Sequence, residues 1–230
     1  MIALKERCAF LLIIALVAMN ISINKAHAGS PETSTLHYKK QYTFTTNWFT
    51  KRIPSWERVL SVFKDKPNIK YLEIGAFEGR SALWLLENIL TSKTSSITII
   101  DAFEEDNYST FSSNISLSGE ANKFKILKGL STEKIKQLDS DYFDFAYVDG
   151  SGKGIVMLSD LVNTWDLVKV GGIIICSNFD LNEDLRKELK LEPSDPGPHE
   201  AIDAFTKLYG PYLQILESDG NEVIVRKIRQ

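Results

Sequence analysis

Short apolar runs alternate with helix-spaced apolar residues along most of this chain, and the alternation restricts the folds open to it. The apolar runs lie at 69–74, 97–100, 124–127, 143–148 and 173–176. Helical spacing follows the first, third and fourth of these runs, at 82–90, 133–138 and 155–168. Strands separated by helices form βαβ units, so the pattern predicts a parallel sheet that is buried on both faces.

The end of the chain departs from this alternation. A helix is predicted over 201–208, with Ala201, Ile202, Phe205 and Leu208 on one face. Two strands follow at 212–216 and 222–227, and the Ser-Asp-Gly-Asn stretch between them is typical of a hairpin. The predicted fold class is therefore α/β, with a doubly wound, mostly parallel, seven-stranded Rossmann-like sheet and a C-terminal antiparallel hairpin.

The N-terminus has the features of a secretory signal. Lys5 and Arg7 precede an apolar stretch over 8–19, and Ala26-His27-Ala28 has the small-x-small form of a cleavage site. We predict a signal peptide at 1–28, a linker at 29–45 and the folded domain at 46–230. An uncleaved N-terminal membrane anchor is the alternative, although the apolar run is shorter than the roughly 20 residues that span a bilayer.

Charge and cysteine content narrow the function classes. The formal charge is −3, and removal of the predicted signal takes three positive residues and one negative residue with it, which leaves −5. An acidic chain is a poor match for nucleic acid or anionic lipid. Because Cys8 leaves with the signal, Cys176 has no partner for an intramolecular disulfide, and no Cys/His cluster indicates zinc. Export to the periplasm or the medium is the expected localisation, with no stable membrane insertion after cleavage.

The stretch YLEIGAFEGR, at 71–80, follows the first predicted strand, where parallel sheets bind ligands. Gly75 and Gly79 allow the backbone to approach a ligand, but their GxxxG spacing is not the GxGxxG of dinucleotide sites. Glu73 adds negative charge, which favours a cationic ligand over a phosphate, so an NAD-dependent enzyme is the weaker alternative. Asp101 ends the second strand and is placed to bind ribose hydroxyls. Arg80 is expected to be a solvated helix residue.

These residues resemble a known family. The order ExGxxxG, an acid closing strand two, YVDGS closing strand four and then WDLVKVGGIIIC is similar to class I S-adenosylmethionine-dependent methyltransferases. LEIGAFEGRSALWLLENIL, IIDAFEED, FSSNI, DFAYVDGS and AIDAF resemble the bacterial branch called methyltransferase family 24. The resemblance runs from about residue 47 to 227 and implies a seven-stranded sheet whose last strand is antiparallel.

The resemblance also implies binding residues for S-adenosyl-L-methionine. The methionine and ribose end of the cofactor would lie against Glu73, Gly75, Ala76, Gly79 and Ser81. Asp101 would hold the ribose, Ala102 and Phe103 would flank the adenine, and Gly129 and Ser131 would touch its edge. Asp149 would face the sulfonium and the acceptor.

The chain differs from the family where a base or metal is expected. Strand four of the family ends DGSH and strand five ends in two aspartates, whereas this chain has Gly152 and Ser177-Asn178. An oxygen-liganded cation needs several carboxylates, so we predict no catalytic metal. Asp149 is the first candidate for a base or for a group that orients the acceptor, and His199 is the second.

Two functions from different classes follow. The first is metal-independent methyl transfer from S-adenosyl-L-methionine to a small-molecule or sugar-like acceptor, most simply a hydroxyl. The second is a catalytically degenerate relative that binds a nucleoside-like ligand or a partner without turnover. The acceptor's identity and the oligomeric state stay open at this point.

Overall fold

One mixed sheet organises the structure, a computed structural model that describes residues 37–177 and 183–230. The predicted signal peptide, residues 29–36 of the predicted linker and Asn178 lie outside the described residues. The sheet has seven strands in the described part of the chain. Their bounds are β1 Lys70–Ile74, β2 Ser96–Asp101, β3 Phe124–Lys128, β4 Phe143–Val148, β5 Val168–Ser177, β6 Leu213–Ser218 and β7 Glu222–Lys227.

Helices connect the strands and cover both faces of the sheet. Their bounds are α1 Ile53–Leu60, α2 Arg80–Asn88, α3 Glu105–Ser118, α4 Ser131–Lys134, α5 Gly154–Leu167, α6 Glu183–Glu188 and α7 Pro198–Tyr209. Short 3₁₀ turns lie at Thr50–Arg52, Ser61–Phe63, Ala121–Lys123, Ile135–Gln137 and Gly210–Tyr212. The sequence pattern did not predict α3 or α6.

The strand order is β3-β2-β1-β4-β5-β7-β6. The first five strands in the chain pair in parallel, and β7 pairs antiparallel with both β5 and β6. This topology confirms the predicted doubly wound sheet and its C-terminal hairpin. The order reverses between β1 and β4, so the carboxyl ends of these two strands border the crevice in which open α/β sheets bind ligands.

Alternate side chains of the central strands enter two separate cores, as expected for a sheet that is covered on both faces. Tyr71 and Phe145 face α2 and the segment before β1, whereas Leu72 and Ala146 face α5 and α7. In α7 the first three residues of the predicted apolar face are buried, but Leu208 is 71% exposed.

The segment before α1 packs against the first of these cores. Tyr38, Tyr42 and Phe44 are buried, and their rings contact one another at centroid distances of 5.6–6.1 Å. Tyr42 donates a hydrogen bond to the buried Glu87 of α2 at 2.7 Å. These contacts place three aromatic residues from the predicted linker inside the packed domain, which thus begins before the expected residue 46.

No helix within residues 37–177 and 183–230 combines the length and the apolar composition needed to cross a bilayer.

Candidate functional site

The loop between β1 and α2 has three residues in the left-handed region of backbone conformation. The φ angles are +85° at Gly75, +51° at Phe77 and +82° at Gly79. Gly79 is the N-cap of α2, and its amide donates to the carbonyl of Ala76 at 2.7 Å. This compact turn directs the first amides of α2 toward the carboxyl end of the sheet, where they can contact a ligand.

Gly75 is required by the packing of the strand ends. A Cβ at this position would lie 2.3 Å from the carbonyl oxygen of Asp149 and 2.6 Å from the Cα of Gly150. The Gly75 amide donates to Ile100 at 2.9 Å, and the Asp149 amide donates to Ile74 at 2.8 Å. The carboxyl ends of β1, β2 and β4 therefore meet at one point.

Asp101, the predicted ribose ligand, holds this loop in place. One carboxylate oxygen accepts hydrogen bonds from the amides of Ala76 and Phe77, at 2.7 and 2.9 Å. The other accepts from the amide of Phe103 at 2.7 Å. Asp101 is partly exposed, so its carboxylate can accept further bonds from a ligand while it organises both loops.

Glu73 lies beneath the loop and is completely buried. One carboxyl oxygen accepts a hydrogen bond from Ser81, and the other has no partner among the described residues. Burial raises the pKa of Glu73 to about 8, although the Ser81 hydrogen bond acts in the opposite direction. The sequence-based expectation of a negative charge here needs correction, because at pH 7 this carboxyl is mostly protonated in the absence of a nearby cation.

Asp149 follows β4 and lines a cleft beside the glycine loop. Tyr147, two residues earlier on the same face of β4, donates its hydroxyl hydrogen to Oδ2 of Asp149 at 2.7 Å. The Tyr147 side chain is buried, and burial raises the pKa of its hydroxyl well above the ordinary value. Tyr147 therefore stays protonated and fixes the orientation of the Asp149 carboxylate.

A buried arginine lies next to this pair. The guanidinium of Arg52 donates to Glu222 at 2.7 Å and to the Ser177 hydroxyl at 2.9 Å, and its centre is 5.8 Å from the centroid of the Tyr147 ring. Trp56 also donates to Glu222, at 3.0 Å. Ser177 and Glu222 are cross-strand partners in β5 and β7. A cation thus lines the cleft and is bonded to Ser177, one of the two positions at which the sequence resemblance implies an aspartate.

The segment at 43–50, called the strap below, crosses the glycine loop. Both oxygens of the buried Glu78 carboxylate accept hydrogen bonds from Thr45, at 2.7 and 2.8 Å. Arg80, which is buried rather than solvated as expected, donates to the strap residues Thr46 and Thr50. The exposed ring of Trp48 lies 5.5 Å from that of Phe77. Glu78 and Arg80, on either side of Gly79, therefore hold the strap on the loop.

The residues predicted at the adenine lie at the ends of β2 and β3. Ala102 is exposed, whereas the ring of Phe103 is buried 4.8 Å from that of Phe111. Gly129 has a φ of +144° and donates its amide to Asp101 at 2.9 Å. Ser131, the first residue of α4, is partly exposed. All four predicted positions border the same end of the sheet as the glycine loop.

His199 is not among the residues that line the cleft. It lies in the first turn of α7 with a side chain that is 64% exposed, and its Nε2 is 3.5 Å from a carboxylate oxygen of Asp203. The structure thus brings Asp149 to the cleft but does not bring His199 there. Within 37–177 and 183–230, no three His, Cys, Asp or Glu side chains are grouped closely enough to hold a metal ion.

Sequence reasoning did not identify Arg52, Tyr147 or Glu222 as site residues. Tyr147 could have been identified from the sequence, because the period-two alternation of side chains along β4 puts it on the same face as Asp149. No sequence pattern could have identified Arg52 and Glu222, since their ion pair joins positions 170 residues apart.

Comparison with known proteins gives one family match and several similar solved structures. Residues 72–179 match the model of a methyltransferase domain family. The search of curated proteins found no match.

One similar structure is the methyltransferase PaMTH1 from Podospora anserina bound to S-adenosylhomocysteine (SAH). It is 20% identical to this chain with a TM-score of 0.58, and the match covers 92% of this chain and 95% of PaMTH1. The O-methyltransferase from Bacillus cereus in complex with SAH has 18% identity, a TM-score of 0.57, and coverage of 94% and 89%. TomG from Streptomyces achromogenes, an O-methyltransferase in complex with SAM, has 16% identity, a TM-score of 0.57, and coverage of 77% and 80%. Residues 72–179 of this chain are therefore similar to a methyltransferase domain family, and the sheet around them has the Rossmann-like methyltransferase fold of these solved structures.

Proposed function

We propose that this chain transfers a methyl group from S-adenosyl-L-methionine to a hydroxyl of a small-molecule acceptor. The observation that carries the proposal is that Asp149, oriented by Tyr147, lines the same cleft as Gly75, Ala76 and Ser81. A cofactor on the loop and an acceptor at Asp149 would then be neighbours. The family match and the SAM- and SAH-bound neighbours of the same fold support this assignment.

The residues at the glycine loop fit this cofactor. Glu73 offers a buried carboxyl oxygen without a partner in the described chain, which suits a cationic ligand such as an α-ammonium group or a sulfonium. The cofactor would be held at Glu73, Gly75, Ala76, Gly79 and Ser81 on its methionine side, and at Asp101, Ala102, Phe103, Gly129 and Ser131 on its nucleoside side. When bound, it supplies a methyl group already activated by a sulfonium.

Asp149 takes the proton in the proposed reaction. Its Oδ2 is held by Tyr147, so Oδ1 is the atom that would accept the proton of the acceptor hydroxyl. A positioned carboxylate base raises a reaction rate by about 10²- to 10⁴-fold. With the cofactor held at the glycine loop, Asp149 would keep the acceptor hydroxyl in place, take its proton as the methyl group is transferred and S-adenosylhomocysteine is left, and then release that proton to water.

We propose that no metal assists this step, on the chemistry of the residues present. Gly152 has no side chain, and the Ser177 hydroxyl accepts a hydrogen bond from the Arg52 guanidinium. A cationic donor at this position disfavours a second cation close to it. Undiminished methyl transfer after exhaustive treatment with EDTA is the expected result, and recovery of a lost activity by added Mg²⁺ would overturn this part of the proposal.

Ligand entry is proposed to involve the strap. The cleft has a volume of about 50 Å³, whereas small-molecule pockets measure about 300–1,000 Å³. The strap residues Thr46 and Trp48 form one wall of the cleft. An outward movement of the strap would enlarge the cleft, and its return would exclude water from the reacting atoms.

The test has a binding arm and a transfer arm. Isothermal titration of the chain from residue 29 with S-adenosylhomocysteine should give heat, whereas NAD should give none. Mass spectrometry of hydroxylated acceptors incubated with S-adenosylmethionine should find a gain of one methyl group, which Asp149→Asn reduces. Absence of S-adenosylhomocysteine binding would overturn the proposal. Binding without transfer to any acceptor would instead favour the degenerate, ligand-binding alternative.

We also propose that residues 1–28 direct export, on the charged, apolar and small-x-small order of that segment. S-adenosylmethionine is made in the cytosol. An exported protein therefore has to meet it in another compartment that contains it, for example inside a host cell. Mass spectrometry of the N-terminus from fractionated cells tests this. A mature chain that starts at Gly29 outside the cytoplasm is expected, and an intact Met1 in the soluble cytosol would overturn the proposal.

A further inference from the structure

A buried carboxyl group lies directly behind the end of β3. Asp160, in the second turn of α5, is completely buried. Its Oδ2 accepts a hydrogen bond from the hydroxyl of Ser131 at 3.0 Å. Ser131 begins α4, immediately after the β3 loop that contains Gly129. The bond thus connects a helix on one face of the sheet to the loop predicted at the adenine edge.

The surroundings of Asp160 bring this bond close to the crevice. A Cβ on Gly150 would lie 3.7 Å from Oδ2 of Asp160 and 3.0 Å from a methyl carbon of Ile74. Asp160 is therefore next to the carboxyl ends of β1 and β4 as well as that of β3. Its Oδ1 is buried without a hydrogen-bond partner in the described part of the chain.

The protonation state of Asp160 decides which way the Ser131 hydroxyl points. Burial raises the pKa of Asp160 to about 6, and the Ser131 hydrogen bond acts against the shift. At pH 8 the group is a carboxylate, which accepts hydrogen bonds and donates none. The hydrogen of Ser131 is then committed to Asp160, so the lone pairs of Ser131 Oγ are left for a ligand.

We propose that Asp160 is a positioning residue that makes Ser131 an obligate hydrogen-bond acceptor and thereby selects adenine at the nucleoside end of the cofactor. Adenine has an exocyclic amino group, which donates to such an acceptor. Hypoxanthine has a carbonyl oxygen at the same position, and two acceptors facing each other leave both without a hydrogen. This inference rests on the proposed function, because it places the nucleoside beside Ser131.

The size of the effect follows from the cost of an unpaired polar group. A site that hydrogen-bonds one ligand rejects an analogue that cannot form the bond, and buried sites give large rejection ratios. Because Ser131 is only partly buried, we expect a smaller preference for the adenine ligand, of about 10- to 100-fold.

The experiment compares two ligands that differ at the 6-position of the purine and in the hydrogen that hypoxanthine carries on the adjacent N1. Dissociation constants of S-adenosylhomocysteine and S-inosylhomocysteine are measured at pH 8 by isothermal titration. In Asp160→Asn the side-chain amide can donate to Ser131 Oγ and release the serine hydrogen toward the ligand, so the preference should fall to within about 3-fold. Asp166→Asn, an exposed aspartate on the same helix, should keep the wild-type preference.

A second variant covers the case in which Asp160→Asn does not fold. Ser131→Ala removes the acceptor itself on a partly exposed residue, and it should also bind both ligands with similar affinity. A wild-type protein that binds both ligands equally, or a Ser131→Ala variant that keeps the full preference, overturns the inference while leaving the proposed function intact. A wild-type protein that binds neither ligand overturns the proposed function and the inference with it.

Discussion

Arg52 and Glu222 form an ion pair at 2.7 Å, with side chains that are only 8% and 2% exposed. The pair joins the turn before α1 to β7, the last strand of the chain. Trp56 donates a hydrogen bond to the Glu222 carboxylate, and the Ser177 hydroxyl accepts one from the Arg52 guanidinium. Because Arg52 also lines the cleft, this network fixes one wall of the candidate site. A residue of the N-terminal segment is thereby part of the site.

Loss of this arginine should destabilise the protein strongly. Arg52→Met leaves the Glu222 carboxylate buried without its cation, and removing one partner of a buried pair costs about 3–5 kcal/mol. Arg58→Met is the matched control, because its pair with Glu217 has an arginine that is 62% exposed, and such pairs contribute at most about 1 kcal/mol. Urea denaturation measures both. Equal losses in the two variants would contradict a dominant role for the buried pair.

Tyr147→Phe should impair methyl transfer without affecting cofactor binding. The substitution removes the hydrogen bond to Asp149 and leaves the carboxylate free to rotate, so we expect kcat to fall about 10-fold, less than the 10²- to 10⁴-fold that a whole general base contributes. Asp149→Asn removes the base and should cost about 10² or more. Tyr142→Phe, at a 41% exposed tyrosine, is the control. An unchanged kcat in Tyr147→Phe would show that the hydrogen bond does not contribute to the reaction.

Two glycines with the same backbone conformation should differ sharply when replaced by alanine. Gly75 and Gly220 have φ angles of +85° and +83°. At Gly220 nothing lies within 4 Å of an added Cβ, so the cost should be the conformational one of about 1–2 kcal/mol. At Gly75 the added atom meets the Asp149 backbone at 2.3 Å, so the loss should exceed about 3 kcal/mol, among the larger effects of single substitutions.

Thermal or urea unfolding of the two variants checks this expectation. Gly75→Ala should also lose binding of S-adenosylhomocysteine, because Gly75 lies in the glycine loop that is proposed to hold the cofactor. Similar stabilities for Gly75→Ala and Gly220→Ala would mean that the loop moves away from β4 at little cost, which the backbone hydrogen bonds of Gly75 and Asp149 argue against.

The fold was predictable where burial dominates the sequence. The central strand β5 is completely buried over residues 173–176 and therefore appears there as a continuous apolar run. The helix Glu105–Ser118 was missed, because only Phe111, Asn114, Ile115 and Ser118 are buried along it. The Asn114 side chain accepts a hydrogen bond from the Thr43 amide and donates one to the Thr43 carbonyl. A buried face with polar members has no hydrophobic period to detect.

The site was predictable only in its strand-end residues. Asp101 ends one recognisable strand and Asp149 directly follows another, so their positions came from local sequence. The burial of Arg80 and the protonation of Glu73 depend on what packs over them, which for Arg80 is the strap. Local sequence carries no record of such long-range contacts, and for that reason the glycine loop was located from the sequence while the environment of its charges was not.

Glu73 should make stability fall as the pH rises. Its pKa is about 8 in the folded chain against an ordinary value of 4.5, so between these values the folded chain holds a proton that the unfolded chain has lost. Under that condition the free energy of unfolding decreases with pH, by up to about 1.4 kcal/mol per pH unit. Below pH 4.5 both states are protonated and the full contribution is present, whereas above pH 8 both are ionised and the loss is complete.

Glu73→Gln isolates this contribution, because the amide keeps the shape of the carboxylic acid and does not titrate. Urea denaturation at pH 5, 6, 7 and 8 should give a wild-type stability that falls relative to Glu73→Gln at each step. Glu57→Gln, at an exposed residue of α1, should run parallel to wild type. If the wild-type and Glu73→Gln curves also stay parallel, then Glu73 is ionised in the folded protein, and the buried Tyr71 hydroxyl, a cation or a water stabilises its carboxylate.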